Sequence, residues 1–127
     1  MKFIHIADVH LGVTPDAGMP WSETRSRDIW NSFRFVIEQA RRQQADLLLI
    51  AGDLFHRQPL KRELKEIAAW FAEISDTEIV LIAGNHDSQE RVSFLEDVLQ
   101  GQGLYISGVP KEELKTVRLQ NTEIVLL

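Results

Sequence analysis

The chain has 127 residues, of which 44% are hydrophobic and 26% charged, enough apolar material for the core of one domain. It has no cysteine, which excludes disulfides, thiolate metal sites and a cysteine nucleophile, so any metal must sit on oxygen and imidazole ligands. A net charge of -5 is not the profile of a protein that holds nucleic acid by bulk charge alone. No apolar run approaches the ~18 residues needed to span a bilayer. The N-terminus reaches Asp8 before a signal-peptide core can form, so the expected location is the cytoplasm.

Residues 2–7 (KFIHIA) are a short apolar run that ends in an acidic turn, and read as a buried strand. Residues 9–21 hold Gly12, Pro15, Asp16, Gly18 and Pro20 and read as a loop. From Ser22, the expected N-cap, to about Gln44 the spacing of Ile29, Phe33, Val36, Ile37 and Ala40 predicts a helix. Residues 46–51 (DLLLIA) predict a second buried strand. A second helix follows Pro59, with Leu60, Leu64, Ile67, Phe71 and Ile74 forming one stripe. Residues 78–83 (EIVLIA) predict a third strand, 91–100 a short helix and 103–107 (GLYIS) a fourth strand. Apolar strands alternating with helices indicate a mostly parallel sheet flanked by helices, covered on both faces. Residues 115–119 and 122–127 read as an antiparallel pair that starts a second sheet. The chain stops inside an apolar run, Ile124-Val125-Leu126-Leu127, and an unpaired apolar strand invites association, so the expectation is a fragment.

Three segments share one design, an apolar strand that opens into polar residues: IHIADVHLG (4–12), LLLIAGDLFH (47–56) and VLIAGNHDS (80–88). In an open parallel sheet, sites form beyond the carboxyl ends of the strands, so Asp8, His10, Asp53, Asn85, His86 and Asp87 are expected on one edge. The chemistry this set suits is hydrolysis of a phosphate ester between two cations about 3.5–4 Å apart. Asp8 and His10 flank one residue and can reach the same ion, while Asp53, after Gly52, is the natural bridge. Asn85 offers an amide oxygen to the second ion, which leaves His86 to act on the substrate. Any one segment alone is a common strand-terminating turn; the three in order carry the signal.

Asp-X-His, then Gly-Asp, then Gly-Asn-His-Asp resembles the calcineurin-like metallophosphoesterase superfamily. The fuller segments HIADVHLG and AGDLFH narrow the likeness to SbcD-type exonuclease subunits and their eukaryotic and archaeal relatives, over about residues 1–108. The resemblance implies the N-terminal half of an α/β sandwich, with residues 1–127 a partial nuclease domain. It implies that Asp8 and His10 ligate the first metal, Asp53 bridges and Asn85 ligates the second. His86 would protonate the leaving oxygen or stabilise the transition state, with Asp87 orienting it. His56 matches a histidine that helps place the substrate phosphate. The implied cofactor is Mn2+, two ions in a complete domain, with Mg2+, Fe2+ or Zn2+ as alternatives. The implied partners are DNA, a coiled-coil ATPase of the SbcC type and a second copy of the chain, with no membrane. One departure stands out: the superfamily takes further metal-binding histidines from a Gly-His-X-His segment, and here no histidine follows His86. Weak metal binding and little activity are therefore expected of this chain alone.

His5 is expected as a satisfied core histidine. Ser88 has no partner set for a nucleophile. Trp30 and Trp70 lie beside the apolar stripes and read as rim residues or subunit contacts, while Trp21 is placed to flank the site. The basic residues Arg25, Arg27, Arg34, Arg41 and Arg42, and Arg57, Lys61, Arg62 and Lys65, read as solvated helix faces before any phosphate-facing role. The function expected is phosphodiester hydrolysis in DNA double-strand-break repair, as an exonuclease with endonuclease action as an addition. A small-molecule phosphoesterase shares every residue named, and a non-catalytic dimerising scaffold is the alternative from another class.

Overall fold

A computed structural model describes residues 1–82 and the strands within 104–107, 115–119 and 122–126. The strands β1 (Phe3–Ala7), β2 (Leu47–Ala51), β3 (Glu78–Ile82) and β4 (Leu104–Ser107) form one parallel sheet in the order β1-β2-β3-β4. Helix α1 (Ser22–Arg42) joins β1 to β2, and α2 (Lys61–Ala72) joins β2 to β3. The expected antiparallel tail is β5 (Lys115–Leu119) paired with β6 (Thr122–Leu126). The fold class is the α/β arrangement expected from the sequence. The helix expected over residues 91–100 lies outside the described residues.

Register fixes which side chains meet the helices. Ile4 is level with Leu48 and Leu48 with Ile79; Ile6 is level with Ile50 and Ile50 with Leu81. Leu48, Ile50, Ile79 and Leu81 belong to one buried cluster with Phe33, Ile37 and Ala40 of α1 and Leu64, Ile67 and Phe71 of α2, and the partly buried Ile4 and Ile6 pack against it. Both helices therefore lie on one face of the sheet. The reason is topological: the chain steps β1, β2, β3 in one direction, so two crossovers of the same hand return on the same side. On the opposite face, the edge strand β1 exposes Phe3 (62% accessible) and His5. His5 is thus not the core histidine expected. A two-residue alternation puts it on the side of β1 that neither α1 nor α2 covers.

Trp30 and Trp70 are partly buried against the core and meet edge to face, with ring centroids 6.1 Å apart. Trp70 also packs on Phe33 at 6.0 Å, and the Arg34 guanidinium sits 5.5 Å over its ring. Arg34 reaches Glu73 at 2.6 Å. These tryptophans join α1 to α2, a role that burial of the stripes alone did not indicate.

Two helix starts differ from expectation. Trp21, not Ser22, is the N-cap of α1, because the Ser22 N–H already donates to Met19 in a turn that runs straight into the helix. The loop is fastened instead by Asp16, which accepts from Trp21 Nε1 at 2.9 Å and pairs with Arg25. Leu60 is the extended N-cap of α2 and is exposed, so the buried stripe begins at Leu64.

Candidate metal centre

The loops that follow β1 and β2 do not part where the strands end. Asp8 N–H donates to Gly52 at 3.3 Å, His10 N–H to Asp53 at 2.9 Å and Leu11 N–H to Leu54 at 2.8 Å; His56 N–H returns to Leu11 at 2.9 Å. Leu11 and Phe55 form an isolated parallel bridge. Leu11, Leu54 and Phe55 are buried to 1% accessibility or less, so the two loops share an apolar floor. Strand and helix periodicity gives no hint of this floor. Its signal in the sequence is Leu54-Phe55, an apolar pair directly after a polar residue.

On that floor, Asp8, His10 and Asp53 converge, with one ligand-capable atom from each lying within 4.8 Å of the others. Asp53 is 9% accessible, while Asp8 is exposed. His10 Nε2 stands 3.9 Å from Asp53 Oδ2, too far for a hydrogen bond between them and close enough for one cation to contact both. Two carboxylates and an imidazole with no thiolate suit a hard or borderline divalent ion. The residues present therefore fit a metal.

The backbone gives a second sign. Asp8, His10 and Asp53 have φ of 53°, 54° and 49°, and Gly52 between the strand and Asp53 has φ of 82°. Left-handed backbone at non-glycine residues is uncommon and concentrates at functional sites. Here it turns three side chains from their strand directions toward one point.

His56 joins the group from the side: its Nδ1 is 3.2 Å from Nδ1 of His10, with ring centroids 5.3 Å apart. Beside it, Arg57 lies across Gly12, whose φ is +89°. A Cβ there would meet the Arg57 Cζ and Nε at 3.0 Å. Arg57 then makes a two-pronged pair with Glu63, at 2.8 and 3.0 Å. Burial disfavours ionised Glu63, but the Arg57 hydrogen bonds, the Leu60 N–H at 2.8 Å and the charges of Arg57 and Arg62 outweigh it. Its carboxyl is held below the usual glutamate range. Spacing in the sequence gives Gly12, Arg57 and Glu63 no shared role. Asn85, His86, Asp87 and Ser88 lie outside the described residues, and Trp21 is tied to Asp16 at the start of α1.

The chain is 35% identical over 134 aligned residues to the DNA double-strand break repair protein Mre11 of Archaeoglobus fulgidus, covering 98% of this chain and 29% of that protein. It is 38% identical to Mre11 of Aeropyrum pernix, over 85% of this chain and 28% of the relative. With the SbcD component of the nuclease SbcCD of Bacillus subtilis it shares 29% identity, over 89% of this chain and 29% of the relative. The chain thus spans under a third of the length of these relatives. Among solved structures, the Pseudomonas putida nuclease MPE shares the fold, with a TM-score of 0.53 at 17% identity, over 86% of this chain and 48% of that one. The family model described as calcineurin-like phosphoesterase matches residues 1–121, and the chain belongs to that family.

Proposed function

We propose that this chain carries metal-binding residues of an SbcD-type nuclease that hydrolyses DNA phosphodiesters during double-strand-break repair. The observation that supports this most is the convergence of Asp8, His10 and Asp53 on left-handed backbone at the carboxyl ends of β1 and β2. The names of the relatives, a double-strand break repair protein and a nuclease component, favour DNA over a small phosphate ester.

On this reading Asp8 and His10 would hold one cation and Asn85 a second, with Asp53 the ligand that both would share. Bound divalent ions, manganese by preference, would supply Lewis-acid stabilisation of the charge that builds on the phosphoryl and leaving oxygens. His86 gives a proton to the departing oxygen, and Asp87 orients its ring by accepting the other N–H. His56 donates to a phosphate oxygen and so helps place the strand. On the same reading Asp8, His10, Asp53 and Asn85 are too few ligands for two ions, and the chain alone binds manganese weakly and cuts little. The same reading includes a homodimer, an SbcC-type ATPase partner and attack from DNA ends.

The test is manganese-dependent cleavage by the full-length gene product, with linear duplex DNA, circular DNA and bis-p-nitrophenyl phosphate as substrates. Cleavage of linear DNA that disappears in Asp53→Asn is the expected result. Hydrolysis of the small ester without any attack on DNA turns the assignment to a small-molecule phosphoesterase. Failure on all three substrates leaves only the scaffold reading.

A further inference from the structure

The contact between His56 and His10 does something that a substrate-side role does not explain. Two ring nitrogens 3.2 Å apart attract only when one carries a proton and the other a lone pair. The other nitrogen of His10, Nε2, is the atom on the Asp53 side, 3.9 Å from Oδ2. A histidine nitrogen that ligates a cation must be unprotonated. Ligation through Nε2 therefore puts the proton of His10 on Nδ1 and makes His56 Nδ1 the acceptor.

We propose that His56 is a positioning residue for His10, accepting its Nδ1–H and so holding the imidazole with the Nε2 lone pair turned toward Asp53. The inference rests on the metal-site reading above. Which nitrogen of a histidine is metallated is set by the hydrogen bond that the other nitrogen makes. The acceptor is itself well anchored: the His56 N–H is bonded to Leu11, and Phe55, its neighbour, is 1% accessible. The same assignment places the proton of neutral His56 on Nε2. One ring thereby links the metal ligand on one side to a phosphate oxygen on the other.

The proposal is tested by manganese affinity, measured by calorimetry, in the full-length gene product and its variants. Asn places an amide oxygen near the position of a histidine Nδ1, whereas Gln carries its amide one bond further out. His56→Asn is therefore expected to bind manganese like the parent, and His56→Gln and His56→Ala to bind it about 10- to 100-fold more weakly. Loss of packing alone predicts another order, with Gln, the closer match in volume, the better substitute; that order overturns the proposal. A second readout is the 15N shifts of the His10 ring in the zinc-loaded protein. A protonated Nδ1 is expected, and an unprotonated Nδ1 overturns the assignment. If Asp53→Asn abolishes binding while His56→Ala leaves it unchanged, this inference fails and the metal site stands. If Asp53→Asn binds as tightly as the parent, the site itself is wrong and the inference falls with it.

Discussion

Gly12 and Gly18 have nearly the same backbone, φ +89° and +90°, yet only Gly12 is covered, by Arg57. Alanine at either position bears the strain of a left-handed turn, about 1 kcal/mol. At Gly12 the new methyl group must also displace an arginine held at both prongs by Glu63. Gly12→Ala is therefore expected to cost about 1 kcal/mol more than Gly18→Ala in urea unfolding, and equal costs would show that the Arg57 contact is slack. Glu63 itself makes stability depend on pH. Its folded-state carboxyl is held below the unfolded value, so its contribution is present above the unfolded pKa and is lost as pH falls through the folded one. Near neutrality Glu63→Gln is expected to cost about 1–2 kcal/mol, and the gap from the parent should close as the pH is lowered below about 4. A gap that stays constant down to about pH 3 would mean that the ion pair contributes nothing. None of these residues announces itself in the sequence, because a glycine, an arginine and a glutamate spread over residues 12–63 become one unit only when the two loops are zipped together.

At the level of elements, α1 ends in a Schellman turn. Ala45 N–H donates to Ala40 at 2.9 Å and Gln44 N–H to Arg41 at 3.2 Å. Gln44 occupies the left-handed position, φ 50°, that glycine usually fills. Gln44→Gly is expected to stabilise the chain by about 0.5–1 kcal/mol, seen as a raised unfolding midpoint. A lowered midpoint would mean that the entropy of glycine in the unfolded chain outweighs the strain relieved. The elements themselves were readable from periodicity: Phe33, Ile37 and Ala40 on one stripe and Leu64, Ile67 and Phe71 on another are the buried apolar residues of α1 and α2. Their starts were less readable, since Ser22 loses its capping role to a preceding turn and Leu60 stands outside its helix. Capping depends on where the chain comes from, which spacing within the helix does not record.

In the whole molecule, Asp8 and Asp53 place two carboxylates close together on left-handed backbone, an arrangement that a bound cation favours. Asparagine tolerates the same backbone, so metal-free Asp53→Asn is expected to be at least as stable as the parent. Manganese at about a hundred times its dissociation constant should raise the parent's unfolding free energy by about 2.7 kcal/mol and leave that of the variant unchanged. Thermal melts with and without manganese decide it, and an equal rise in both proteins would place the ion elsewhere. The amino-acid order alone determined a parallel α/β sheet and the list of strand-end residues, because apolar runs and the polar residues that close them are local properties of the chain. His5 shows the limit of such reasoning, since which face of β1 is covered follows from both crossovers returning on one side. The sequence also set Asp8, His10 and Asp53 on one edge, but only the tertiary structure decided how closely they approach there, that His56 leans on His10, and that Leu11, Leu54 and Phe55 lie beneath them. These are contacts between loops far apart in the chain, set by backbone hydrogen bonds and by φ angles that no local pattern encodes.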